Sequence, residues 1–523
     1  MIKIIDALNA ISEVSGGTKA NPPPSGFSTL LKCEIEHGSG AKYDLKGYVA
    51  EIHLFENIER VGITGFLQMQ DRVNFIRNGA IIGEELLWLK FETAGASDAG
   101  ETNFAIDFSK HPLYVFGIEE VKLQTTSPGG TTQAVLEYKL HFCSTEMITN
   151  DRIRLSKAYQ GTVDSVVKTI LKDDLQTEKP VIVNPTLDII RYIAPNWHPL
   201  SCIVELCSRA QCWTGQPVVG PQPATTENMF SGRQNDFAFF ETSCRAEDTD
   251  GGFFLVPLQR KMSEQDFTIT LQLSPTVTGT SKAQSGKYSG YARRMLSSAK
   301  WSFTDNGNKW LTVAAGSWAA KHIHHNAVTK SFATYKIDYL KQLEDLKYSE
   351  ISQTPVYWPS RGSSWKKISE FPDARVSLSS GSAKSQSGIN KSTKEVSYPF
   401  SITPPDSTLL RDMQLNHLLS YQRVLCTLPG ISGLQIGKMC YTDFPPIGMG
   451  SGTPEDVGSP GAKDIYGEDR NNNIWLITKI AHHLNFTTSQ DFAEANATNY
   501  ITEVELANTF KDTKKILPEY SAL

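Results

Sequence analysis

The strongest constraint on this fold is a change in hydrophobic spacing along the chain, from strand-like to helix-like and back. From 61 to 69 the odd positions are apolar, namely Val61, Ile63, Leu67 and Met69 with small Gly65 among them, and the even positions are mostly small or polar. Residues 134–142 alternate in the same way, and 81–91 and 113–123 are further β-rich runs. Because alternation is typical of strands with one buried face, the spacing predicts an antiparallel sheet or barrel here.

A helical segment interrupts this β pattern. From Val163 to Leu175 the apolar residues recur at helical spacing, at 163, 166, 167, 170, 171 and 175. Thr162 is the predicted N-cap, because its hydroxyl can accept a hydrogen bond from the first turn. A second helix is predicted from about Ser201, with Ile203, Leu206 and Ala210 on one side. We therefore expect 136–210 to open with a strand and continue as a helical island between two β parts.

The second β part is less regular than the first. At 266–274 the residues Phe267, Ile269, Leu271 and Leu273 alternate with polar ones, which predicts a strand. The Ser/Gly/Lys-rich stretch 377–394 is predicted to be an exposed mobile loop. The other predicted elements are strands at 237–241 and 251–257, loops at 215–229 and 445–463, a helix at 406–422 with Ser407 as its cap, and a closing β region.

The two β parts echo each other. The first contains IIGEELLWLKF, LYVFGIEEVKL and VLEYKLHFCS, and the second contains LQIGKMCYTDF, IWLITKIAHHL and YITEVELANT. Each set opens with an Ile-Gly pair, at 82–83 and at 436–437, and ends on an alternating strand. One interpretation is two copies of one β-domain, and the alternative is a chance match between two antiparallel sheets.

Composition narrows the class of protein. A chain of 523 residues is too long for one core, which suggests about two to four domains. Its net charge of −5 gives no reason to expect duplex nucleic acid as a partner. The first residues lack a signal-peptide core, and no run approaches the roughly 18 apolar residues of a membrane helix. We therefore expect synthesis and folding in the cytosol, with no membrane segment.

Residues that could carry chemistry do not form a recognisable site. Gly286-Lys287 and Gly437-Lys438 lack the rest of a phosphate-binding loop, and there is no GxSxG or HExxH motif. Cys202, Cys207 and Cys212 are five apart and would point to different faces of a helix, so they are interpreted as buried small hydrophobes. His322, His324 and His325 could bind a metal, but no thiol or carboxylate lies close by in sequence, so a structural role is preferred.

The same absence of context applies to hydrolase and sugar-binding chemistry. No sequence context marks one of the 56 acidic residues as a catalytic carboxylate. Tryptophans are concentrated between 300 and 370, where a sugar platform is possible but core or interface is the commoner role; they are Trp301, Trp310, Trp318, Trp358 and Trp365. No catalytic residue, cofactor-binding residue or metal ligand is assigned, and no enzyme is predicted.

The stretch FCSTEMITNDRIRLSKAYQGTVDSVVKTILKDDL, residues 142–175, resembles the baseplate hub proteins of contractile-tailed bacteriophages. The pattern is a strand, Ser-x-x-x-x-x-Asn, Arg-x-x-Lys-Ala-Tyr, and a helix ending near Lys-Asp-x-Leu. It continues through Asn196-Trp197 and Arg209-Ala210, then FAFFETSC and GGFFLVPL, and the C-terminal LPGISGLQIGKMCYTDFPP, WLITKIAHH and YITEVELANTF. The resemblance covers most of 28–330 and 405–512.

This resemblance implies a mainly β fold with α insertions (α+β): two tail-tube-like antiparallel β-barrel domains and a helical connector domain. The connector would pack on the outside of the ring that the barrels form in the assembly, and it would set the relative placement of the two barrels. The implied domains are an N-terminal arm at 1–27, a first barrel at 28–150, the connector at 151–230, a second barrel at 231–330 and 400–512, an insertion at 331–399, and a C-terminal tail at 513–523.

It further implies a homotrimer in the virion tail baseplate, assembled in the bacterial cytoplasm, whose six barrels form a pseudo-sixfold ring. The implied partners are the tail tube protein or tube initiator, the central spike, the tape measure protein and the baseplate wedge proteins, with genomic DNA passing through an axial channel without specific binding. The alternatives left open are a tail-tip cell-wall hydrolase, a carbohydrate-binding adhesin, and a secretion-system hub of similar architecture.

Overall fold

The protein is seen in a computed structural model. It is mainly β, with one large and predominantly antiparallel sheet. Among its described residues, no helix is long and apolar enough to cross a bilayer. The structure describes residues 10–11, 25–78, 81–96, 104–126, 133–187, 189–213, 233–245, 251–258, 267–272, 295–296, 298, 300–306, 313–326, 330–338, 357–358, 366–367, 373, 375–381, 388–389, 396–397, 411–413, 415, 419, 422–443, 474–486 and 496–508.

The first β part forms the sheet that alternation predicts. In β4, burial alternates residue by residue, with Leu67 and Met69 inside. Six of its strands are hydrogen-bonded in the antiparallel order β3-β4-β8-β7-β5-β1, here called sheet I. The strands are β1 (Ser28–Glu36), β2 (Lys42–Asp44), β3 (Val49–Asn57), β4 (Thr64–Asp71), β5 (Leu86–Thr93), β6 (Ala105–Asp107), β7 (Leu113–Thr126) and β8 (Gln133–Ser144).

Short helices and strands follow between Thr145 and Trp213, and these elements are here called the connector. The predicted helix at 163–175 is confirmed, although its second half is a single π turn. Thr162 occupies the N-cap position but its side chain makes no capping hydrogen bond; Ser165 Oγ instead donates to the Thr162 carbonyl at 2.8 Å. The elements are α1 (Thr145–Arg152), β9 (Ala158–Thr162), α2 (Val163–Thr169), the π turn (Ile170–Asp174), β10 (Val181–Val183), β11 (Ile189–Ile193), α3 (Pro199–Cys207) and β12 (Cys212–Trp213).

The second β part contains another six-stranded path, β17-β25-β28-β27-β26-β16, here called sheet II. Its two strands that come last in the chain, β27 and β28, form a long hairpin. The elements are β13 (Arg233–Gln234), β14 (Phe237–Thr242), β15 (Gly252–Pro257), β16 (Phe267–Gln272), β17 (Lys300–Asn306), β18 (Ala319–Asn326), β19 (Ser331–Asp338), β20 (Tyr357–Trp358), β21 (Lys366–Lys367), β22 (Val376–Gly381), β23 (Gly388–Ile389), β24 (Val396–Ser397), β25 (Gln422–Pro429), β26 (Met439–Asp443), β27 (Ile474–Phe486) and β28 (Asn496–Asn508).

The β27–β28 hairpin belongs to both sheets. The half away from its turn pairs with β25 and β26 of sheet II. The half next to its turn pairs with the two edge strands of sheet I, β3 and β1. Sheet I is thereby closed into a ring of eight strands, in the order β3-β4-β8-β7-β5-β1-β28-β27. The hairpin that the sequence assigns to the second barrel alone therefore also completes the first ring, while the predicted domain limits stay predictions.

The two sheets have the same strand topology. Taken in chain order, β1, β3, β4, β5, β7 and β8 correspond to β16, β17, β25, β26, β27 and β28, and this correspondence reproduces the hydrogen-bonding order of both sheets. One strand differs in direction, because β16 is parallel to β26 whereas β1 is antiparallel to β5. The shared topology supports the interpretation of the echoing sequences as two copies of one β unit.

Local detail agrees with this correspondence. The β7–β8 pair shifts register at Phe116, and the β27–β28 pair shifts at Thr478. Beside each bulge, one amide bonds to the residue preceding the neighbouring strand: Val115 N to Glu85 O at 2.8 Å, and Ile477 N to Lys438 O at 3.0 Å. Both Ile-Gly pairs precede these strands, and Gly83 and Gly437 both adopt positive φ, which glycine tolerates best. The matched bulges fix the alignment of the two hairpins residue by residue.

Three hydrophobic cores result. The first fills the ring closed by the hairpin, the second lies against sheet II, and the third lies within the connector. Strand β14 separates the last two, since Phe237 and Phe239 pack in the connector core and Ala238 and Phe240 pack in the second core. The connector is therefore packed against the β structure through a sheet that is buried on both faces.

Two further predictions differ in outcome. Residues 377–381, predicted to begin a mobile loop, form strand β22 and pair in parallel with β18, because the neighbouring backbone supplies the hydrogen bonds that Ser-rich sequence does not indicate. Helical residues at 411–413, 415 and 419 agree with the helix predicted at 406–422, whereas its predicted cap Ser407 lies outside the described residues. The loops predicted at 215–229 and 445–463 also lie outside them.

Substitution of Gly65 tests the close packing of the first ring. A Cβ at Gly65 would lie 2.2 Å from the His53 carbonyl oxygen and 2.4 Å from the Phe142 ring. We expect Gly65→Ala to lower the free energy of unfolding by about 1–3 kcal/mol, because neither the paired backbone nor the buried ring can move away freely. Urea unfolding measures it, with Gly38→Ala as control, since that Cβ would meet nothing within 4 Å. Equal stability of the two variants would contradict the packing.

Candidate functional site

The seam between β3 and β27 joins the two sheets and is the first candidate site. At its centre His53 of β3 lies opposite His483 of β27, with 2.6 Å between their Nδ1 atoms. His53 Nε2 is 3.0 Å from a Glu51 carboxylate oxygen, and His483 Nε2 is 3.7 Å from Glu503. The stacked ring of Phe66 covers His53, with 4.2 Å between centroids. The pair is partly buried on the outer face of the ring.

The inner side of the same seam carries a buried histidine. His482 is fully buried and shares a 2.8 Å hydrogen bond with the Tyr500 hydroxyl. Burial, followed by the positive charges of Arg245 and His483, holds the pKa of His482 well below its usual range. Burial and His53 lower the pKa of His483, against the opposing effect of Glu503. The geometry suits neutral imidazoles that hold two strands together.

A cleft of about 450 Å³ lies beside this seam, lined among others by Phe55, Gly62, Met147 and Lys479. Its volume is within the range of ligand pockets. Four of the charges beside it pair with one another: Arg423 bonds Glu59 at 2.6 Å and Glu505 at 2.9 Å, and Lys479 bonds Glu505 at 3.0 Å. These contacts join the turn after β3 to β25, β27 and β28, so the network clamps the two sheets.

A second ionic cluster lies where the connector meets both sheets. Lys179 is buried, and its Nζ donates to Glu146 Oε2 at 2.6 Å and to Glu241 Oε1 at 2.7 Å. The remaining carboxylate oxygens also accept hydrogen bonds, from Thr177 to Glu146 and from Ser144 to Glu241. Each carboxylate oxygen therefore has a donor, as burial of charge in a protein requires.

The pKa shifts of this cluster follow from burial and pairing. Burial alone would lower the pKa of Lys179, but Glu241 and Glu146 outweigh it and raise the pKa above its usual value. Burial raises the pKa of Glu241, whereas for Glu146 the attraction of Lys179 outweighs burial and lowers the pKa. The buried ammonium bonds two carboxylates and lies 5.8 Å from the centroid of the Phe253 ring, so the arrangement is a structural joint.

The sequence pattern behind the family resemblance also has structural roles. Within Arg-x-x-Lys-Ala-Tyr, Lys157 and the Tyr159 hydroxyl both bond Asp174, which belongs to the Lys-Asp-x-Leu end of the pattern. Asn150 Oδ1 accepts from the Leu200 amide at 2.8 Å, which ties α1 to the start of α3. The pattern therefore specifies the packing of the connector.

Two more pattern residues act locally. Asn196 adopts φ +58, a left-handed turn that asparagine tolerates well. Its carbonyl accepts a hydrogen bond from Arg154 at 3.1 Å. The neighbouring Trp197 is 45% exposed and its carbonyl accepts from the Leu155 amide at 2.8 Å. These two hydrogen bonds hold the turn that leads into α3 against the segment around Arg154 and Leu155.

Among the described residues, the histidines, tryptophans and cysteines considered in the sequence are not grouped as a site. His322 is buried, with its Nδ1 2.6 Å from Ser377 Oγ. Trp301 packs against the second core and Trp318 is buried, while Trp310 and Trp365 lie outside the described residues. All eight cysteines are buried, and none of them forms a disulfide. Within the described ranges, no three His, Cys, Asp or Glu side chains are grouped as a metal site.

Sequence reasoning missed the residues that join the parts. Lys179 and Glu241 are distant in sequence, and a lysine in TEKPVIV has the same local context as an exposed one. His53 and His483 carry no local signal either, because alternation assigns both to the outer face of strands without indicating that those strands are neighbours. Only the strand order brings them together.

No family model matches the chain, and no curated protein matches it. Solved structures do match. The chain is similar to a 43 kDa tail protein of prophage MuSo2 from Shewanella oneidensis, at 9% identity and TM-score 0.43, over 91% of this chain and 98% of that one.

Two secretion-system structures are also similar to the chain. One is a Francisella PdpA–VgrG complex, at 12% identity and TM-score 0.40, over 95% of this chain and 54% of that one. The other is the E. coli c3393 protein of the type VI secretion system, at 9% identity and TM-score 0.37, over 92% of this chain and 78% of that one.

Removal of the buried ammonium tests the joint between connector and sheets. We expect Lys179→Met to lower the free energy of unfolding by about 3–5 kcal/mol, because Glu146 and Glu241 are left as uncompensated buried charges. Lys157→Met is the control, since its partly exposed pair with Asp174 should contribute only about 0–1 kcal/mol. Urea unfolding at neutral pH measures both.

The same variant has a pH signature. Without Lys179 the pKa of Glu241, already raised by burial, should rise further, so the folded state takes up protons. Lys179→Met should therefore lose more stability than the unmodified protein as the pH rises from about 5 to about 8. Parallel stability curves would show that the carboxylates are not left buried.

The histidine seam predicts acid sensitivity. Folding lowers the pKa of His483, so at a pH below the usual histidine pKa the unfolded chain binds more protons than the folded chain. Acidification therefore destabilises the fold, by up to about 1.4 kcal/mol per pH unit for one such group. We expect His483→Gln to give a shallower loss of melting temperature between about pH 7 and 5. An unchanged slope in His483→Gln would contradict the assignment.

Proposed function

We propose that this chain is a structural tail protein that acts as a homotrimeric baseplate hub, joining a hexameric tail tube to a trimeric central spike. The observation that carries the proposal is the repeated β unit: sheets I and II share one strand order and one bulge position within a single chain. Three chains would then supply six equivalent units. Such an assembly presents sixfold symmetry to one partner and threefold symmetry to the other.

The joints between the units favour a fixed relative placement. The shared hairpin, the four-charge network around the cleft and the buried Lys179 cluster all connect one β unit to the other or to the connector. A rigid pair of units is what a symmetry adaptor needs, because a flexible pair would not hold a regular ring.

The proposed partners are the tail tube protein or tube initiator, the central spike, the tape measure protein and the wedge proteins of the baseplate. The ring would leave an axial channel for genomic DNA. A net charge of −5 suits that role, because an acidic chain repels phosphates and does not retain DNA during passage. The proposed location is the virion tail, after assembly in the host cytoplasm.

The proposed role is non-catalytic. The Lys179 cluster and the four-charge network beside the cleft are each internally paired, which supports a structural role for these charges. A peptidoglycan zymogram tests this point. A cleared zone that persists in a highly purified preparation would favour a tail-tip hydrolase instead.

Light scattering on the purified full-length chain tests the assembly. We expect a particle of three chains whose class-averaged electron micrographs show a ring with near-sixfold projection. DNA mixed with the particle at physiological salt should migrate on a native gel as free DNA does. A compact monomer at every concentration would contradict the hub proposal.

A further inference from the structure

Within the chain, the hairpin of sheet II binds the edge strand of sheet I. The β27 edge pairs with β3 from Lys479 opposite Asn57 to Asn485 opposite Glu51. On the inner side of this seam, Leu484 and Leu54 are both fully buried. The β unit is therefore built so that the hairpin of one copy completes the edge of another copy.

Sheet I has the same kind of hairpin, made of β7 and β8. The matched bulges at Phe116 and Thr478 align it with the β27–β28 hairpin. Toward its turn, β7 is paired with β8 on one side, and among the described strands its other edge is paired with β5 only at Leu113 and Tyr114. The remainder of that edge corresponds to the part of β27 that pairs with β3.

Burial separates the two hairpins where their topology agrees. Leu484 lies opposite Tyr500, and both are fully buried in the core of the ring. At the corresponding rung Leu123 lies opposite Leu136, and Leu123 is 67% exposed. Val121, next to the local bulge, is 53% exposed. On the sheet I hairpin the β7 side chains at this level are therefore exposed, whereas Leu136 of β8 packs partly buried against the first core.

The complementary edge is β17 of sheet II, which corresponds to β3. It pairs with β25 as β3 pairs with β4. Aligned through those neighbours, Phe303 takes the position of Leu54, yet Phe303 is 39% exposed where Leu54 is fully buried. Among the described strands, β25 is the neighbour of β17 in the sheet.

We propose that the β7 edge of one chain pairs with β17 of a second copy of this chain, repeating between chains the β27–β3 seam found within the chain. This inference rests on the proposed trimer and specifies its interface. Transfer of the register places Lys122 opposite Ser302, where His483 meets His53, and Leu123 opposite Trp301, where Leu484 meets Ile52. Main-chain hydrogen bonds would provide the affinity and the apolar rungs the register.

The contact is head-to-tail, because a hairpin edge of sheet I meets an edge strand of sheet II. Within one chain, the described β7 and β17 are not neighbours in the sheet. Head-to-tail contacts form a closed ring when the rotation from one unit to the next is a whole fraction of a full turn. A ring in which sheet I and sheet II units alternate would leave neither the β7 edge nor the β17 edge open. The second copy is thus the partner that this edge fits.

Disulfide trapping tests the register. Lys122→Cys and Ser302→Cys are both at exposed positions, and the native thiols are buried. The double variant, oxidised at low protein concentration, should form a covalent trimer on non-reducing gels, and an equimolar mixture of the two single variants should form a covalent dimer. The control pairs Ser302→Cys with Lys42→Cys, which is exposed on β2 away from the seam, and should give no specific product.

Two outcomes overturn the inference and are distinguishable. Trimers by light scattering without the disulfide product would reject this register and leave the hub proposal standing, whereas monomers throughout would reject both. A second variant pair does not depend on trapping: Leu123→Glu should abolish the trimer, while Ile193→Glu, at a 75% exposed position of β11, should retain it. Circular dichroism checks that both variants fold; a trimeric Leu123→Glu protein would also overturn the inference.

Discussion

The β27–β28 hairpin is the element on which the rest of the structure depends. Its outer half belongs to sheet II and its turn-proximal half closes sheet I, so a single pair of strands is hydrogen-bonded to four neighbours. Because the hairpin is continuous, movement of one sheet relative to the other would have to break a ladder or bend both strands. The two β units are therefore fixed to each other by the backbone, and the side chains of the seam refine a placement already determined.

Buried charge fixes the connector in a comparable way. Lys179 is stable inside the protein only while Glu146 and Glu241 accept hydrogen bonds from its ammonium, since an isolated buried charge is strongly unfavourable. The partners come from α1 and from β14, and Ser144 at the end of β8 supplies a further hydrogen bond. The connector, sheet I and the β14–β15 layer must therefore assemble together for any of these charges to be buried.

The repeated β unit explains why equivalent residues have different environments. Leu54 and Leu484 are buried because both halves of their seam lie in one chain, whereas Phe303 and Leu123 hold the corresponding positions at edges that the single chain leaves more exposed. Two copies of the unit have two equivalent seams. The single chain forms one of them, between β27 and β3, and the other needs an edge from a further unit. In the assembly proposed above, association between chains would satisfy the other seam.

The sequence by itself determined the class of each segment. Alternation located β4 and β8, helical spacing located α2 and α3, and the echoing runs indicated a repeat, because those signals depend on which residues of one element face a core. It did not reveal the shared hairpin, the His53–His483 contact or the burial of Lys179. Strand β22 was also missed, since only Val376 and Leu378 alternate with serine there, which is too short a run to predict a strand. Only tertiary structure decided these features, because strand order and charge pairing join residues hundreds of positions apart, where local periodicity contains no information.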